Sequence, residues 1–155
     1  MNVRAAQETD IPRLIDLLHQ VLEVHAAGRP DIFVSGTTKY GYEELKKMIE
    51  GENTPMFVLE DDAGIVRGYA MCGIETSDSS NMQEFTTLYI DDICVDEAAR
   101  GNHYGSALYQ AVKDYAKSIG AYHITLNVWS CNPTARKFYE AIGLKPMKTT
   151  MEEVL

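Results

Sequence analysis

The segment that opens the most regular helical pattern of the chain carries two glycines in an arrangement that suits an anion. It reads Arg-Gly-Asn-His-Tyr-Gly-Ser-Ala-Leu from Arg100 to Leu108. A helix N-terminus presents up to about four unpaired N–H groups and the positive end of the helix dipole. Gly101 and Gly105 remove side chains where the backbone must approach a ligand, which favours phosphate binding. An ordinary loop before a helix can contain the same glycines, and the segment matches neither the Walker loop nor the dinucleotide fingerprint.

Tyr139 is the residue of the next helical segment that could move a proton. The segment begins at Asn132 and reads Asn-Pro-Thr-Ala-Arg-Lys-Phe-Tyr-Glu-Ala-Ile-Gly-Leu, in which Asn132 and Pro133 suit the N-cap and the first turn. A phenol with an ordinary pKa near ~10 is protonated at neutral pH and can donate to a leaving group. Tyr139 equally fits the apolar face of this helix as a half-buried core aromatic.

Two adjacent carboxylates, Asp91 and Asp92, lie late in a segment with a strand pattern. Such a pair can take a proton from a substrate, or it can be a solvated acidic pair near the end of a strand. Adjacent strand residues point to opposite faces unless a bulge intervenes. We therefore expect at most one of the two to reach a substrate directly.

The cysteines and histidines indicate no metal site and no disulfide framework. Cys72, Cys94 and Cys131 are an odd number without close pairs, which suits a reducing cytoplasm. Cys131 precedes a helix start and is the better nucleophile candidate of the three. No histidine lies near it in sequence, so a buried or incidental thiol is the favoured interpretation. No histidine pair has a metal-ligand spacing with a carboxylate.

Hydrophobic periodicity predicts one α/β domain over residues 1–155. The predicted strands are Asn2–Ala6, Met56–Glu60, Ile65–Glu75, Phe85–Val95, Tyr122–Val128 and Met147–Val154. The predicted helices run from Thr9 or Asp10 to Gly28, over Glu43–Glu50, over Tyr104–Ile119 and from Asn132 to Gly143. The order β-α-α-β-β-β-α-β-α-β indicates a mixed sheet.

Charge and hydropathy exclude two classes of partner. Lysine and arginine number 14 against 23 aspartates and glutamates, for a net charge of −9. No basic patch is present, which argues against a nucleic-acid partner. No apolar run approaches the ~20 residues of a membrane helix, and we expect a cytoplasmic protein.

The two helix-start segments together resemble the GNAT superfamily of N-acetyltransferases. The resemblance covers Phe85–Leu144 and extends more loosely over the chain. Arg100 and Gly105 match the ends of the family motif (Arg/Gln)-x-x-Gly-x-(Gly/Ala), whereas His103 stands where the central glycine is usual. The resemblance implies a mostly antiparallel mixed sheet flanked by helices. Two splayed strands, Phe85–Val95 and Tyr122–Val128, would form the coenzyme A cleft.

The resemblance also implies a role for each matching residue. Acetyl-coenzyme A would be the co-substrate, without a metal. Tyr139 would protonate the departing thiolate, Asn132 would lie near the thioester, and Asp91, Asp92 or a water would take the amine proton. The backbone residues expected to hold the pantetheine arm and the pyrophosphate are Ile93, Cys94, Val95, Arg100, Gly101, Asn102, His103, Tyr104, Gly105 and Ser106. A homodimer paired through C-terminal strands is expected by the same resemblance.

We predict acetyl transfer to a primary amine of a small molecule by direct attack. The net charge, the Asp91–Asp92 pair and Glu75 favour a cationic acceptor such as a polyamine. The alternatives are a protein or peptide N-acetyltransferase and a catalytically silent module that binds or senses coenzyme A. Candidate residues around the acceptor are Arg29, Asp31, Phe33, Tyr40, Glu75 and Trp129.

Overall fold

A single five-stranded sheet organises the computed structural model, which describes residues 1–155. The strands are β1 (Asn2–Ala5), β2 (Met56–Glu60), β3 (Val66–Thr76), β4 (Thr86–Val95) and β5 (His123–Leu126). The helices are α1 (Ile11–Gly28), α2 (Tyr42–Glu50), α3 (Tyr104–Ser118) and α4 (Pro133–Ala141). Their spatial order β1-β2-β3-β4-β5 is antiparallel up to β4, and β5 lies parallel to β4. The mixed, mostly antiparallel sheet is confirmed. No helix combines the length and the apolar character that a membrane span requires.

The two faces of the sheet bury separate apolar clusters, because the helices cover both. On one face α1 and α2 pack over residues that include Val58, Tyr69 and Cys94. On the other face α3 packs over residues that include Leu88 and Ile90. The cluster to which a strand residue belongs therefore shows on which face of the sheet its side chain lies.

β5 pairs along its whole length with only the first half of β4. Their parallel ladder runs from Thr87 opposite His123 to Ile90 opposite Leu126, and β4 then continues to Val95 with β3 alone. The predicted strand Tyr122–Val128 is correspondingly shorter in the structure. One edge of β4 is thus left without a strand partner from Asp91 onward, where the resemblance places the cleft.

The predicted strand Met147–Val154 does not form, and that prediction was wrong. Residues 144–155 adopt neither helix nor strand. The apolar side chains of this tail are not buried against the rest of the protein, since Met147 and Met151 are 71% and 86% exposed. Glu152 instead forms an ion pair with Arg29, whose Nη2 lies 2.7 Å from Oε1 of Glu152. The only crossover between parallel strands is therefore β4-α3-β5.

Candidate active site

A β-bulge at Asp91 brings two carboxylates to one face of the sheet. Met71 pairs with Asp92 and the next residue of β3 pairs with Ile90, so Asp91 is the extra residue of β4. Ile90 belongs to the α3-side cluster, whereas Cys94 belongs to the α1-side cluster, which shows that the alternation reverses at the bulge. Asp91 and Asp92 consequently both lie on the α1–α2 face. The bulge is the exception to strand alternation that the sequence left open, so the two carboxylates do not point to opposite faces.

Asp91 is already engaged by two donors from the connection between α1 and α2. Lys39 Nζ lies 2.8 Å from Oδ1, and the Tyr40 hydroxyl donates to Oδ2 at 2.8 Å. Burial, together with this hydrogen bond, raises the pKa of Tyr40 to about 12, so its proton stays on the phenol. Both oxygens of Asp91 are therefore occupied, which suits a fixed charge better than a proton acceptor.

Asp92 has a different environment from its neighbour. Its Oδ2 accepts one hydrogen bond, at 2.8 Å, from the hydroxyl of Tyr69, whose side chain is fully buried in the α1-side cluster. Burial raises the pKa of Asp92 to about 6, against the opposing effect of the Tyr69 hydrogen bond. A carboxylate with that pKa exchanges its proton near neutral pH, as a general base requires.

Tyr139 supplies a free phenol close to these carboxylates. Asn132 caps α4 by accepting the Ala135 N–H at 3.2 Å, and Pro133 occupies the first turn. The half-buried side chain of Tyr139 makes no hydrogen bond within the chain through its hydroxyl. Burial raises the pKa of this phenol well above its ordinary value, and the charge of Asp92 raises it further. Tyr139 is therefore a protonated donor without a partner. The side-chain oxygen of Asn132, the residue predicted near the thioester, caps α4, and its amide nitrogen remains available to donate.

The loop before α3 offers a row of unused donors. None of the backbone N–H groups of residues 101–106 finds an acceptor within the chain. Gly101 adopts φ 85°, and Asn102 fastens the loop through a 3.0 Å hydrogen bond from Nδ2 to the Ala99 carbonyl. Arg100 is exposed and forms no ion pair. Six free N–H groups and one free guanidinium are a good fit for a pyrophosphate.

His103 stands where the family motif usually has a glycine, and its backbone conformation explains why. His103 is the one residue other than glycine with a positive φ, at 60°. Glycine adopts this left-handed region freely, whereas other residues spend roughly 1–2 kcal/mol there. The loop thus keeps the conformation that the usual glycine would favour, with an exposed imidazole added.

Gly105 has a packing role that differs from its predicted one. A Cβ at this position would lie 3.1 Å from Cζ and 3.2 Å from Cε2 of Phe138. The absent side chain lets α3 approach α4, while the Gly105 N–H stays free in the row of donors. Gly105 therefore helps to place the helix that carries Tyr139.

Neither of the two cysteines of the sheet is reactive. Burial raises the pKa of Cys94 and of Cys72 to about 12. The Cys94 side chain faces Leu17 of α1, so only its backbone could meet a pantetheine arm. Ile93 and Val95, on the opposite face, are partly buried against the α3-side cluster.

An open pocket of about 520 Å³ adjoins Asp91 between α2 and the strands β3 and β4. Its lining comprises Tyr40, Glu44, Lys47, Met48, Thr54, Cys72, Gly73, Glu75, Tyr89 and Asp91. Three carboxylates against one ammonium make it acidic. Of the predicted acceptor residues only Tyr40 and Glu75 line it. Phe33 and Trp129 stack edge to face at 5.0 Å, and Arg29 pairs with Asp31 and Glu152.

Sequence reasoning missed Lys39, Glu44 and Tyr69. Lys39 and Glu44 are ordinary charged residues by pattern, and only the fold brings them toward Asp91 or into its pocket. Tyr69 lies within a run of five consecutive buried residues of β3, Gly68 to Cys72. No sequence signal distinguishes its hydrogen bond to Asp92 from simple packing.

A loop of unused backbone donors beside a strand that continues beyond its parallel neighbour is the architecture of an acyltransferase that uses a coenzyme A thioester. The chain belongs to the acetyltransferase (GNAT) family, whose model matches residues 19–144, and it is an acetyl-coenzyme A-dependent N-acetyltransferase. It is 28% identical over 143 residues to the uncharacterized N-acetyltransferase YhfO of Bacillus subtilis (strain 168), covering 92% of this chain and 89% of that protein.

Solved structures agree with this assignment. A tetramutant of the BH1408 protein from Bacillus halodurans superimposes with a TM-score of 0.96 at 31% identity, over 100% of both chains. The aminoglycoside N-acetyltransferase AAC(6')-Iy in complex with CoA has a TM-score of 0.73 at 14% identity, over 99% of this chain and 98% of that one. The second likeness concerns the fold alone.

Proposed function

We propose that this protein acetylates a primary amine of a small cationic molecule, such as a polyamine, by direct attack of the amine on the thioester. The observation that carries the proposal is the bulge at Asp91. It brings two carboxylates to the α1–α2 face of the sheet at the point where β4 leaves β5, and one of them, Asp91, lines the acidic pocket. A free phenol, that of Tyr139, lies near enough for the charge of Asp92 to raise its pKa.

The residues around the cleft fit the acetyl donor. When bound, acetyl-coenzyme A supplies the thioester carbonyl that the amine attacks. The free N–H groups of residues 101–106 and the guanidinium of Arg100 would hold its pyrophosphate. The unpaired edge of β4, which includes Ile93, Cys94 and Val95, would bind the pantetheine arm through backbone atoms.

Asp92 is the residue that we assign as the base. It takes the ammonium proton directly or through a water, since a pKa of about 6 makes it a stronger base than an ordinary carboxylate of pKa ~4. Tyr69 holds this carboxylate in place through its hydrogen bond. Asp91, with both oxygens engaged, contributes charge and position.

Tyr139 is the residue that we assign as the acid. Its raised pKa keeps the phenol protonated across the physiological range, and its hydroxyl has no competing partner. It donates this proton to the departing sulfur. The chain itself forms no covalent intermediate in this scheme.

The pocket favours a cationic acceptor because its carboxylates outnumber the ammonium groups beside them. Glu44, Glu75 and Asp91 line the pocket with Lys47, and Lys39 pairs with Asp91, which leaves an excess of one negative charge. A free amino acid would bring its own carboxylate into this field. An amine with a second positive group is the better match.

The proposal is tested by following thiol release from acetyl-coenzyme A with a matched acceptor panel: spermidine, a primary monoamine with no second charged group, glycine and a peptide with a free N-terminus. We expect the highest kcat/KM with spermidine. Rising salt should raise its KM more than that of the monoamine. Faster turnover with glycine or the peptide would contradict the acceptor class, and no thiol release with any amine would indicate a binding module.

A pair of variants locates the acceptor. Glu75→Gln removes a carboxylate of the pocket and should raise KM for spermidine about fivefold, the ratio that corresponds to roughly 1 kcal/mol for a partly exposed ion pair. Glu153→Gln removes the same charge from the exposed tail and should change nothing. Equal effects of both variants would show that only the overall charge matters.

A further inference from the structure

Lys39 places a primary amine of the chain itself at the mouth of the proposed cleft. Its Nζ lies 2.8 Å from Oδ1 of Asp91 and 3.4 Å from the backbone oxygen of the same residue. Asp91 is the first residue of β4 beyond the last pair with β5, Ile90 opposite Leu126. The ammonium of Lys39 thus occupies the position at which a cationic acceptor would meet the carboxylates.

The segment that carries Lys39 has no regular secondary structure. Residues 29–41 connect α1 and α2 without forming helix or strand, and the Lys39 side chain is 45% exposed. Apart from Asp91, its only marked partner is the ring of Tyr40, with Nζ 5.3 Å from the centroid. A change of rotamer of this long side chain, without a change of fold, would bring Nζ to neighbouring positions in the cleft.

We propose that Lys39 is a self-acetylation site: with the donor bound and no acceptor present, the protein's own active site acetylates Nζ of Lys39. This inference rests on the proposed function, because it uses the same base and the same acid. It adds a modification site and a reaction that needs no second substrate.

The reaction balances with the groups already described. Nζ loses its ammonium proton to Asp92, directly or through a water, and its lone pair forms a bond with the acetyl carbonyl carbon. The bond between that carbon and sulfur breaks, Tyr139 gives its proton to the departing thiolate, and the nitrogen gives its second proton to the resulting tyrosinate. The products are Nζ-acetyl-lysine, free coenzyme A and one proton held by Asp92, with no oxidant or reductant involved.

Proximity is the physical reason to expect this reaction. A group held beside the reacting atoms behaves as if present at a very high effective concentration. Burial lowers the pKa of Lys39, but the hydrogen bond and the charge of Asp91 outweigh burial and raise it. Lys39 is therefore protonated at rest, as any amine acceptor is, and meets the same base.

Acetylation would change the pocket as well as the lysine. A neutral amide no longer pairs with Asp91, so one more carboxylate becomes available to a cationic acceptor. The modified protein should bind polyamines more tightly than the unmodified protein. This consequence can be measured without the donor.

Mass spectrometry of the protein incubated with acetyl-coenzyme A alone tests the site. Lys46 is the matched control, since its Nζ pairs with Oε1 of Glu8 at 2.9 Å and its side chain is 37% exposed. We expect Lys39 to be acetylated at least about tenfold faster than Lys46, as intramolecular reaction implies. The rate constant should not depend on protein concentration, and Tyr139→Phe should abolish the preference. Equal rates at Lys39 and Lys46, or a preference that survives Tyr139→Phe, would overturn the inference.

Spermidine separates failure of this inference from failure of the proposed function. If spermidine is acetylated and Lys39 is not, only the self-acetylation is wrong; if neither is acetylated, the proposed function itself fails. Without acetyl-coenzyme A, Lys39→Gln should bind spermidine severalfold more tightly than the wild type, and Lys46→Gln should not. Unchanged affinity in Lys39→Gln would show that Lys39 does not stand in the acceptor's place, and would overturn the inference.

Discussion

The two ends of the proposed cleft rely on different parts of the polypeptide. At the loop before α3, six backbone N–H groups have no acceptor, and the side chains contribute one free guanidinium. At the bulge of β4, the binding groups are side chains that already satisfy one another: Asp91 with Lys39 and Tyr40, and Asp92 with Tyr69. The donor end has free N–H groups for a ligand, whereas at the acceptor end a ligand must replace existing hydrogen-bond partners.

This difference explains why the two ends tolerate different changes. Backbone donors are present whatever the side chain, provided that the loop keeps its conformation, so His103 can replace a glycine there. The acceptor end depends on the identity of each residue and on the register that brings them together. The cofactor can therefore be inferred from a short motif, while the acceptor requires the fold.

The largest expected effect concerns the acid at the junction of the two ends. Tyr139→Phe keeps the ring and removes the hydroxyl that we assign as the acid, so kcat should fall by roughly 10²-fold or more. Affinity for coenzyme A should stay unchanged, as measured by calorimetry. Normal turnover in Tyr139→Phe would mean that a water, and not Tyr139, protonates the departing thiolate.

A smaller effect is expected from Gly105, which joins the loop to α4. Gly105→Leu places atoms where the Phe138 ring lies, and overpacking of this kind costs roughly 1–3 kcal/mol. We expect a lower Tm and a loss of kcat, because α4 carries Tyr139. The double variant Gly105→Leu with Phe138→Ala should recover part of the Tm. Loss of coenzyme A affinity at an unchanged Tm would restore the original view of Gly105 as a pure ligand-contact position.

The smallest effect sharpens the comparison at the loop. His103→Gly relieves a left-handed residue and leaves every N–H in place, so coenzyme A affinity should change by less than about threefold while stability is kept or improved. His103→Ala, which retains a Cβ in the same backbone region, is the control for strain. A drop of about tenfold or more with both variants would mean that the imidazole itself binds the phosphates.

The sequence predicted most of the fold because the periodicity was long and regular. The α3 pattern, from Tyr104 to Ile119, ended within one residue of the observed helix. The tail strand failed because the residues of Met147–Val154 say nothing about whether a neighbouring strand is available. β5 was predicted too long for a related reason, since its length depends on where β4 departs.

Of the site, Tyr139 and the Arg100–Ser106 loop could be proposed from their motifs, whereas the roles of the two aspartates could not. The bulge that turns Asp91 and Asp92 to the same face arises from the register of β3 against β4, which involves residues about twenty positions apart along the chain. Lys39 approaches from a more distant connection with no pattern of its own. Contacts of this range belong to tertiary structure.

The pH dependence of kcat/KM tests most directly the division of labour between Asp92 and Tyr139. The raised pKa of Asp92 means that the folded protein binds an extra proton between the ordinary carboxyl range and about pH 6, so stability should fall as pH rises through that window. Asp92→Asn should remove this slope, which serves as the control for folding. In the kcat/KM profile, activity should fall at low pH as Asp92 becomes protonated. Tyr69→Phe should move this acidic limb to higher pH, because it removes a hydrogen bond that lowers the pKa of Asp92.

For the wild type we expect an acidic limb in kcat/KM with a pKa of about 6, the value for Asp92 in the free protein. Asp92→Asn should abolish that limb and lower kcat/KM by about 10²-fold at neutral pH, the usual size of a lost general base. An acidic limb that persists unchanged in Asp92→Asn would contradict this account and would mean that another group takes the ammonium proton.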